Sequence, residues 1–204
     1  MIVSGRNLVI LGSGALTRTV IRRLFTRSVT LTVVAVLGIA AAGALYWFQP
    51  WRLFTDTVVT DTLSVVPSAG PQPSSASAAP TRDLSPVVIA EGPFVSHEHD
   101  TSGTARIVRN ADGSHQLELA GLDTSDGPDL RVWLSDQPVR TGPAGWGVFD
   151  DGEHAELGRL KGNHGDQVYR FPDAVDPQAW RSVSIWCKRF AVSFGAAQLS
   201  VVSS

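Results

Sequence analysis

Ser182–Gly195, SVSIWCKRFAVSFG, decides how the folded part of this chain is read. The run is rich in β-branched and aromatic residues, as strands are. It also holds the chain's only cysteine, Cys187, directly beside Trp186. Val183, Ile185 and Cys187 share one parity, whereas Phe190, Val192 and Phe194 share the other. Alternate residues of a regular strand point to opposite faces, so one straight strand cannot bury both sets on one side. Two arrangements resolve the conflict. A bulge near Lys188 would bring Cys187 and the later aromatics to the same side, as bulges do beside functional sites. Alternatively the run lies between two apolar layers, and Cys187 is an ordinary core residue.

Outward from this run, residues 87–204 show the same short-strand pattern. Thr104–Arg109 and His115–Leu122 flank Asn110, Asp112 and Gly113, a hairpin signal with Ile107, Leu117 and Leu119 facing inward. Leu130, Val132 and Leu134 alternate with Arg131, Trp133 and Ser135, which predicts a half-buried strand. Gln167–Phe171 and Ala197–Val202 complete the series, punctuated by Gly162-Asn163 and Pro172-Asp173. No amphipathic helix of useful length interrupts them. The expectation is an all-β fold, an antiparallel β-sandwich or barrel of roughly seven to nine strands. Pro138–Glu156, with Trp146 among Gly142, Gly145 and Gly147, is too long for a simple hairpin turn and reads as a functional or mobile loop.

The N-terminal part has a different character. Val29–Phe48 is twenty residues without a charge, and a helix of that length rises roughly 30 Å, the thickness of a bilayer's hydrocarbon core. Arg18, Arg22, Arg23 and Arg27 precede it and only Arg52 follows closely. The positive-inside rule therefore puts residues 1–28 in the cytoplasm and residues 87–204 outside, on a single-pass membrane protein. Tyr46, Trp47 and Trp51 suit the outer aromatic belt. A cleaved signal peptide is the competing reading, but the apolar stretch exceeds an ordinary signal core. Residues 55–86 turn to Ser, Ala, Pro and Thr and read as a disordered linker. Leu8–Thr17 imitates a dinucleotide-binding turn, but Thr17 replaces its third glycine and no βαβ unit can follow.

Charge separates the same regions. Residues 1–86 carry a net +4 and residues 87–204 a net −6. An acidic folded region argues against nucleic acid as a partner, because phosphate binding needs a basic patch. A single cysteine excludes an internal disulfide and leaves a thiol that is inert, paired between molecules, or reserved for a ligand.

Four runs in order, HDTSGTARI at His99–Ile107, GPDLRVWLS at Gly127–Ser135, LGRLKGNHGDQVY at Leu157–Tyr169 and SVSIWCKRFAVSFGAAQL at Ser182–Leu199, together resemble the DM-thirteen domain. That family is similar in architecture to DOMON-type β-sandwiches. The resemblance implies electron transfer, with Cys187 at the position of the shared cysteine as a haem or redox-relay ligand and an extracytoplasmic redox partner. The membrane anchor and linker fall outside it.

The residues themselves admit this chemistry. A thiolate can hold haem iron or a soft transition metal, and Cys187 beside the Trp186 indole would sit in a partly dry pocket that tunes its potential. His97 and His99 are two apart, so on a strand they would share a face and could bind one metal ion or line a haem pocket. His99 is the histidine that would join Cys187 in a redox centre. His164 belongs to the KGNHGD turn, and His115 and His154 read as surface residues. Asp123, Asp126 and Asp129 around Gly127-Pro128 suit either calcium or turn chemistry. With neither a nucleophile elbow nor an HExxH helix, the sequence points to a relay or a binding module more than to substrate turnover. The alternative function is a cell-surface binding module for polysaccharide or protein, with Cys187 inert and Trp146 in the glycine-rich loop as the contact residue.

Overall fold

The computed structural model describes residues 14–64 and 85–202. The chain divides after Gln49. On the N-terminal side, a helix, α1 (Gly14–Phe48), contains the expected apolar stretch. Val29–Arg52 is long and apolar enough to cross a membrane, a property that signal sequences near an N-terminus share.

Among the described residues, the second unit has ten strands: β1 (Val58–Thr60), β2 (Val87–Ser96), β3 (Ser102–Arg109), β4 (His115–Asp123), β5 (Leu130–Ser135), β6 (His154–Arg159), β7 (His164–Arg170), β8 (Ser182–Cys187), β9 (Val192–Gln198) and β10 (Ser200–Val201). They form one curled sheet in the order β1-β7-β4-β3-β2-β9-β8-β5-β6, with β10 beside β2. All pairings are antiparallel except that of β1 with β7, which is parallel. The expected all-β fold is therefore mixed at one edge.

Strand β2 makes the curl. Its first part, Val87–Pro93, pairs with β3, and its last residues, Phe94–Ser96, pair with β9. A strand that belongs to both halves forms the corner of a folded sheet. Gly92 marks the bend: a Cβ there would lie 1.8 Å from the Gln198 carbonyl oxygen, so only glycine allows the two backbones to approach.

Between the halves lies one core. Ile107, Leu117, Leu119 and Leu122 on one side meet Leu130, Val132, Leu134, Val183, Ile185, Cys187 and Phe194 on the other. A second, smaller core lies on the outer side of the β5–β8–β9 portion. There Val148 and Phe149, from the loop between β5 and β6, cover Trp133, Trp186 and Ala196. This cover changes the expected character of two strands. Trp133 is buried rather than solvated, so β5 is not half-buried, and every residue of β8 is buried.

The Ser182–Gly195 run is a hairpin. β8 ends at Cys187, the chain turns through Lys188–Ala191, and Phe190 N–H donates to the Cys187 carbonyl at 3.3 Å. Ala191 closes the turn with φ 51, a left-handed conformation uncommon for a residue with a Cβ. The bulge falls later than expected, where the β8–β9 register shifts between Ile185 and Trp186 and leaves Phe194 as the extra residue. It does place Phe194 in the same core as Cys187. Both arrangements considered for this run thus hold in part: the chain breaks after Cys187, and both faces of β8 are buried.

The N-terminal end of the expected linker belongs to the folded unit. Pro50–Phe54 forms a 3-10 turn and Val58–Thr60 adds β1 to the edge of β7. The glycines of the KGNHGD turn make room for it. A Cβ on Gly165 would lie 2.0 Å from the Val59 carbonyl oxygen and one on Gly162 would lie 2.3 Å from that of Thr57. Asn163 Oδ1 accepts from Thr57 N–H at 2.7 Å, Asp61 pairs with Lys161, and Ser64 N–H donates to Glu118. Residues 55–64 are therefore docked backbone rather than tether, because their polar groups are satisfied by the domain. The Ser/Pro-rich run from 65 to 84 lies outside the described residues.

Candidate functional site

Cys187 ends β8 with no exposed surface, among the aliphatic side chains of the main core. Burial pushes its thiol up from the ordinary value, and backbone hydrogen bonding around Phe190, Arg189 and Asp129 works against that rise. The thiol form is thus favoured over the thiolate, the form that binds metals. The two described cavities, about 800 and 640 Å³, are lined by residues at the β2–β10 end and along the β2–β3 edge, not by Cys187. A haem held by cysteine needs both a thiolate and a slot of several hundred Å³. The packing around the sulfur does not fit one.

Trp186, one residue earlier, points to the opposite side of β8 and is 1 % exposed in the second core. Its indole stacks on that of Trp133, with ring centroids 4.9 Å apart and planes at 20°. Trp133 stacks in turn on the imidazole of His154, at 4.0 Å and 13°, and His154 lies at the surface. On its other flank Trp186 meets Phe149 edge-on at 6.4 Å, and Phe149 stacks on His97 at 5.7 Å. Five rings from five chain segments therefore make one continuous run. Offset stacks and T-shaped contacts are the arrangements that ring quadrupoles favour.

Polar groups line both ends of this run. The Trp133 indole N–H donates to Glu156 Oε2 at 3.3 Å. Arg131 pairs with the same carboxylate at 2.6 Å and Lys188 at 3.2 Å, so Glu156 stays ionised below the usual carboxylate range although burial acts against it. At the far end His97 Nδ1 lies 2.9 Å from Ser193 Oγ and Nε2 lies 3.1 Å from the Arg140 carbonyl oxygen. Ser184 Oγ donates to Ser193 Oγ, and Ser193 Oγ donates to the Gly195 carbonyl. Desolvation lowers the His97 pKa, opposed by the Arg140 carbonyl, and His99 is lowered chiefly by the same cause.

The structure does not bring His97 and His99 onto one strand face. Both follow the end of β2, in a bend where each backbone N–H donates to the Phe194 carbonyl. The His97 ring faces Ser193 and Phe149, whereas the His99 ring packs on Phe194 at 3.8 Å. His99 thus touches the core cluster that contains Cys187, through Phe194. Among the described residues no group of three or more His, Cys, Asp or Glu side chains is arranged to hold a metal ion.

The remaining expected residues are dispersed. Asp123 pairs with His164, Asp126 with Arg52 and Thr55, and Asp129 with Arg131, so the three carboxylates serve three separate contacts. His164 also meets Asp56 and helps to hold the docked segment. Trp146 is half-buried with its indole N–H enclosed, and its carbonyl accepts from Ser193 N–H at 2.8 Å. It pins the long loop onto β9. Sequence reasoning gave Trp133 only a place on the polar side of its strand and His154 one at the surface, and passed over Phe149 and Glu156. The available signal was Trp133 itself, a large aromatic at the polar parity of β5, between Arg131 and Ser135.

A family model described as Electron transfer DM13 matches residues 93–199, which hold β3 to β9 and most of the two cores. No curated protein and no solved structure matches this chain.

Proposed function

We propose, from the premise that this chain belongs to the Electron transfer DM13 family, that it relays single electrons outside a membrane to which α1 tethers it. The N-terminus is then cytoplasmic and the β domain extracytoplasmic, the orientation the arginine asymmetry favours. The redox chemistry is seated in β8, whose two faces carry Cys187 and Trp186 back to back. One observation carries this reading: the part of the chain that matches an electron-transfer family holds its single thiol, Cys187, next to Trp186 on one fully buried strand, and Trp186 stacks on Trp133 of the neighbouring β5. Burial suits a relay, since a dry environment keeps solvent reorganisation small and shields reactive states from side reactions. Cys187 is the proposed centre and Trp186 its neighbour, with His99 as the imidazole that packs on Phe194 of the same core. A haem or metal on Cys187 would require the surrounding aliphatic side chains to move apart, so no step is assigned to one.

The test is the optical and redox behaviour of the full chain, produced with a haem supply, oxidised and reduced, alongside Cys187→Ser. A redox-active signal that Cys187→Ser abolishes in folded protein supports the cysteine-centred relay. Behaviour identical in the two proteins removes Cys187 from the mechanism. If the protein is also inert to oxidants and reductants, and Trp146→Ala releases a bound polysaccharide or protein, the domain is a surface-binding module instead.

A further inference from the structure

Outside Cys187, the feature with most chemistry in it is the ring run on the other face of β8. Phenylalanine and neutral imidazole are far harder to oxidise than indole, so the stations in that run are Trp133 and Trp186. Their planes lie at 20° with centroids 4.9 Å apart, close enough for one positive charge to be shared or exchanged. Trp133 is only 5 % exposed, yet its stacking partner His154 is at the surface. A partner that touches His154 is therefore one ring away from a buried indole. The Trp133 N–H already donates to an ionised carboxylate, Glu156, which is held in place by Arg131 and Lys188.

We propose that Trp133 and Trp186 form a two-station conduit for one-electron oxidation, entered at His154 and served by Glu156 as proton acceptor. The natural reactant is a high-potential one-electron oxidant, such as an organic radical or a high-valent metal centre, arriving at the His154 edge. The oxidant gains one electron. Trp133 loses that electron, and its Nε1 proton passes to Glu156 Oε2, leaving a neutral indole radical and a protonated carboxyl. Trp186 refills Trp133 when it supplies an electron in turn and Glu156 returns the proton, so the oxidising equivalent moves inward to the residue next to Cys187. Trp186 is left as a radical cation, and a one-electron reductant such as a hydroquinone or a reduced metal centre finally returns it to the neutral indole. This conduit rests on the electron-transfer reading and names its route and its class of oxidant.

The experiment uses the full chain in bilayer discs, carrying a ruthenium(II) polypyridyl attached through Glu153→Cys. Glu153 is exposed and adjoins His154, whereas Cys187 is sealed from the label. Flash–quench oxidation of the ruthenium supplies the probe oxidant, and transient absorption and electron paramagnetic resonance read the radical. The expected result is an indole radical whose formation is lost in Trp133→Phe, a substitution that keeps an aromatic ring in the stack. In Trp186→Phe the radical still forms but its lifetime shortens, because the second station is gone. In Glu156→Gln the spectrum changes from the neutral radical to the radical cation, a change that a merely structural carboxylate would not produce. Unchanged radical yield in Trp133→Phe, or an unchanged lifetime in Trp186→Phe, overturns the conduit. Absence of any indole radical also overturns it, while a redox signal dependent on Cys187 would leave the electron-transfer reading standing.

Discussion

On one face of β8, Val183, Ile185 and Cys187 meet aliphatic side chains from the other half of the sheet; on the opposite face, Ser184 and Trp186 meet a second serine, stacked indoles and the loop that carries Phe149. Both faces are dry, but they are made dry by different means. The first is closed by the curl of the sheet through β2, and Cys187 brings a thiol into it. The second is closed by a loop, and it keeps hydroxyls, an imidazole and indole N–H groups that must each find a partner. The first face therefore holds one sealed thiol among aliphatic side chains, and the second a hydrogen-bonded run of aromatic rings. Family membership alone would have directed attention only to the thiol.

The sharpest way to break this contrast is Trp186→Ala. If the loop-covered face is a true core, that substitution destabilises the protein by about 4 kcal/mol in reversible denaturation, as aromatic deletions in cores do. A cost no larger than that of a surface change would reduce the second cluster to a loosely lying loop. Ile185→Val, on the first face, should cost about 1 kcal/mol and leave every aromatic spectroscopic signature unchanged. Near-ultraviolet circular dichroism separates the two, because only the Trp186 variant should lose the exciton-like signal of the stacked indoles.

The smallest effect is a pH dependence. His97 has its pKa lowered in the folded state by desolvation, so as pH falls the unfolded chain takes up the proton first. The stabilising contribution is complete above an unfolded value of about 6.5 and is lost as pH falls toward the folded value. His99 acts in the same direction. Melting temperature measured between mildly alkaline and mildly acidic pH should therefore decline, and His97→Gln should flatten the slope. The carboxylates of Asp61 and Glu118, held below their ordinary values chiefly by hydrogen bonds to Lys161 and Ser64 respectively, lose their contribution in a separate window, below about pH 4. A slope unchanged in His97→Gln would mean that the loop opens enough to hydrate the ring.

How much of this was legible in the sequence depended on whether the signal was local. The β3–β4 hairpin was written in Asn110–Ser114, and the strand in Leu130–Ser135 in its alternation. The hairpin inside Ser182–Gly195 was not, because its turn, Lys188–Ala191, contains no glycine, asparagine or proline and relies on Ala191 at positive φ. The burial of Trp133 could not be read from β5, since it is set by Val148 and Phe149 in a loop whose path depends on tertiary contacts. Likewise His97 and His99 had the spacing of strand neighbours, but the chain leaves the strand at Ser96 and the spacing loses its meaning. Cys187 was legible as a strand residue beside Trp186; its sealing in the core came from the opposite half of the sheet.

The docked segment before β2 has a mechanical consequence. Tension applied to the chain from the side of α1 reaches β1 before any other strand of the domain, and β1 is held to β7 by backbone passing over Gly162 and Gly165 and by the side chains of Asn163 and Lys161. A short edge strand of this kind yields before the interior pairings do. It works as a fuse: a pull that frees β1 releases slack before the load reaches β2, the strand that joins both halves of the sheet.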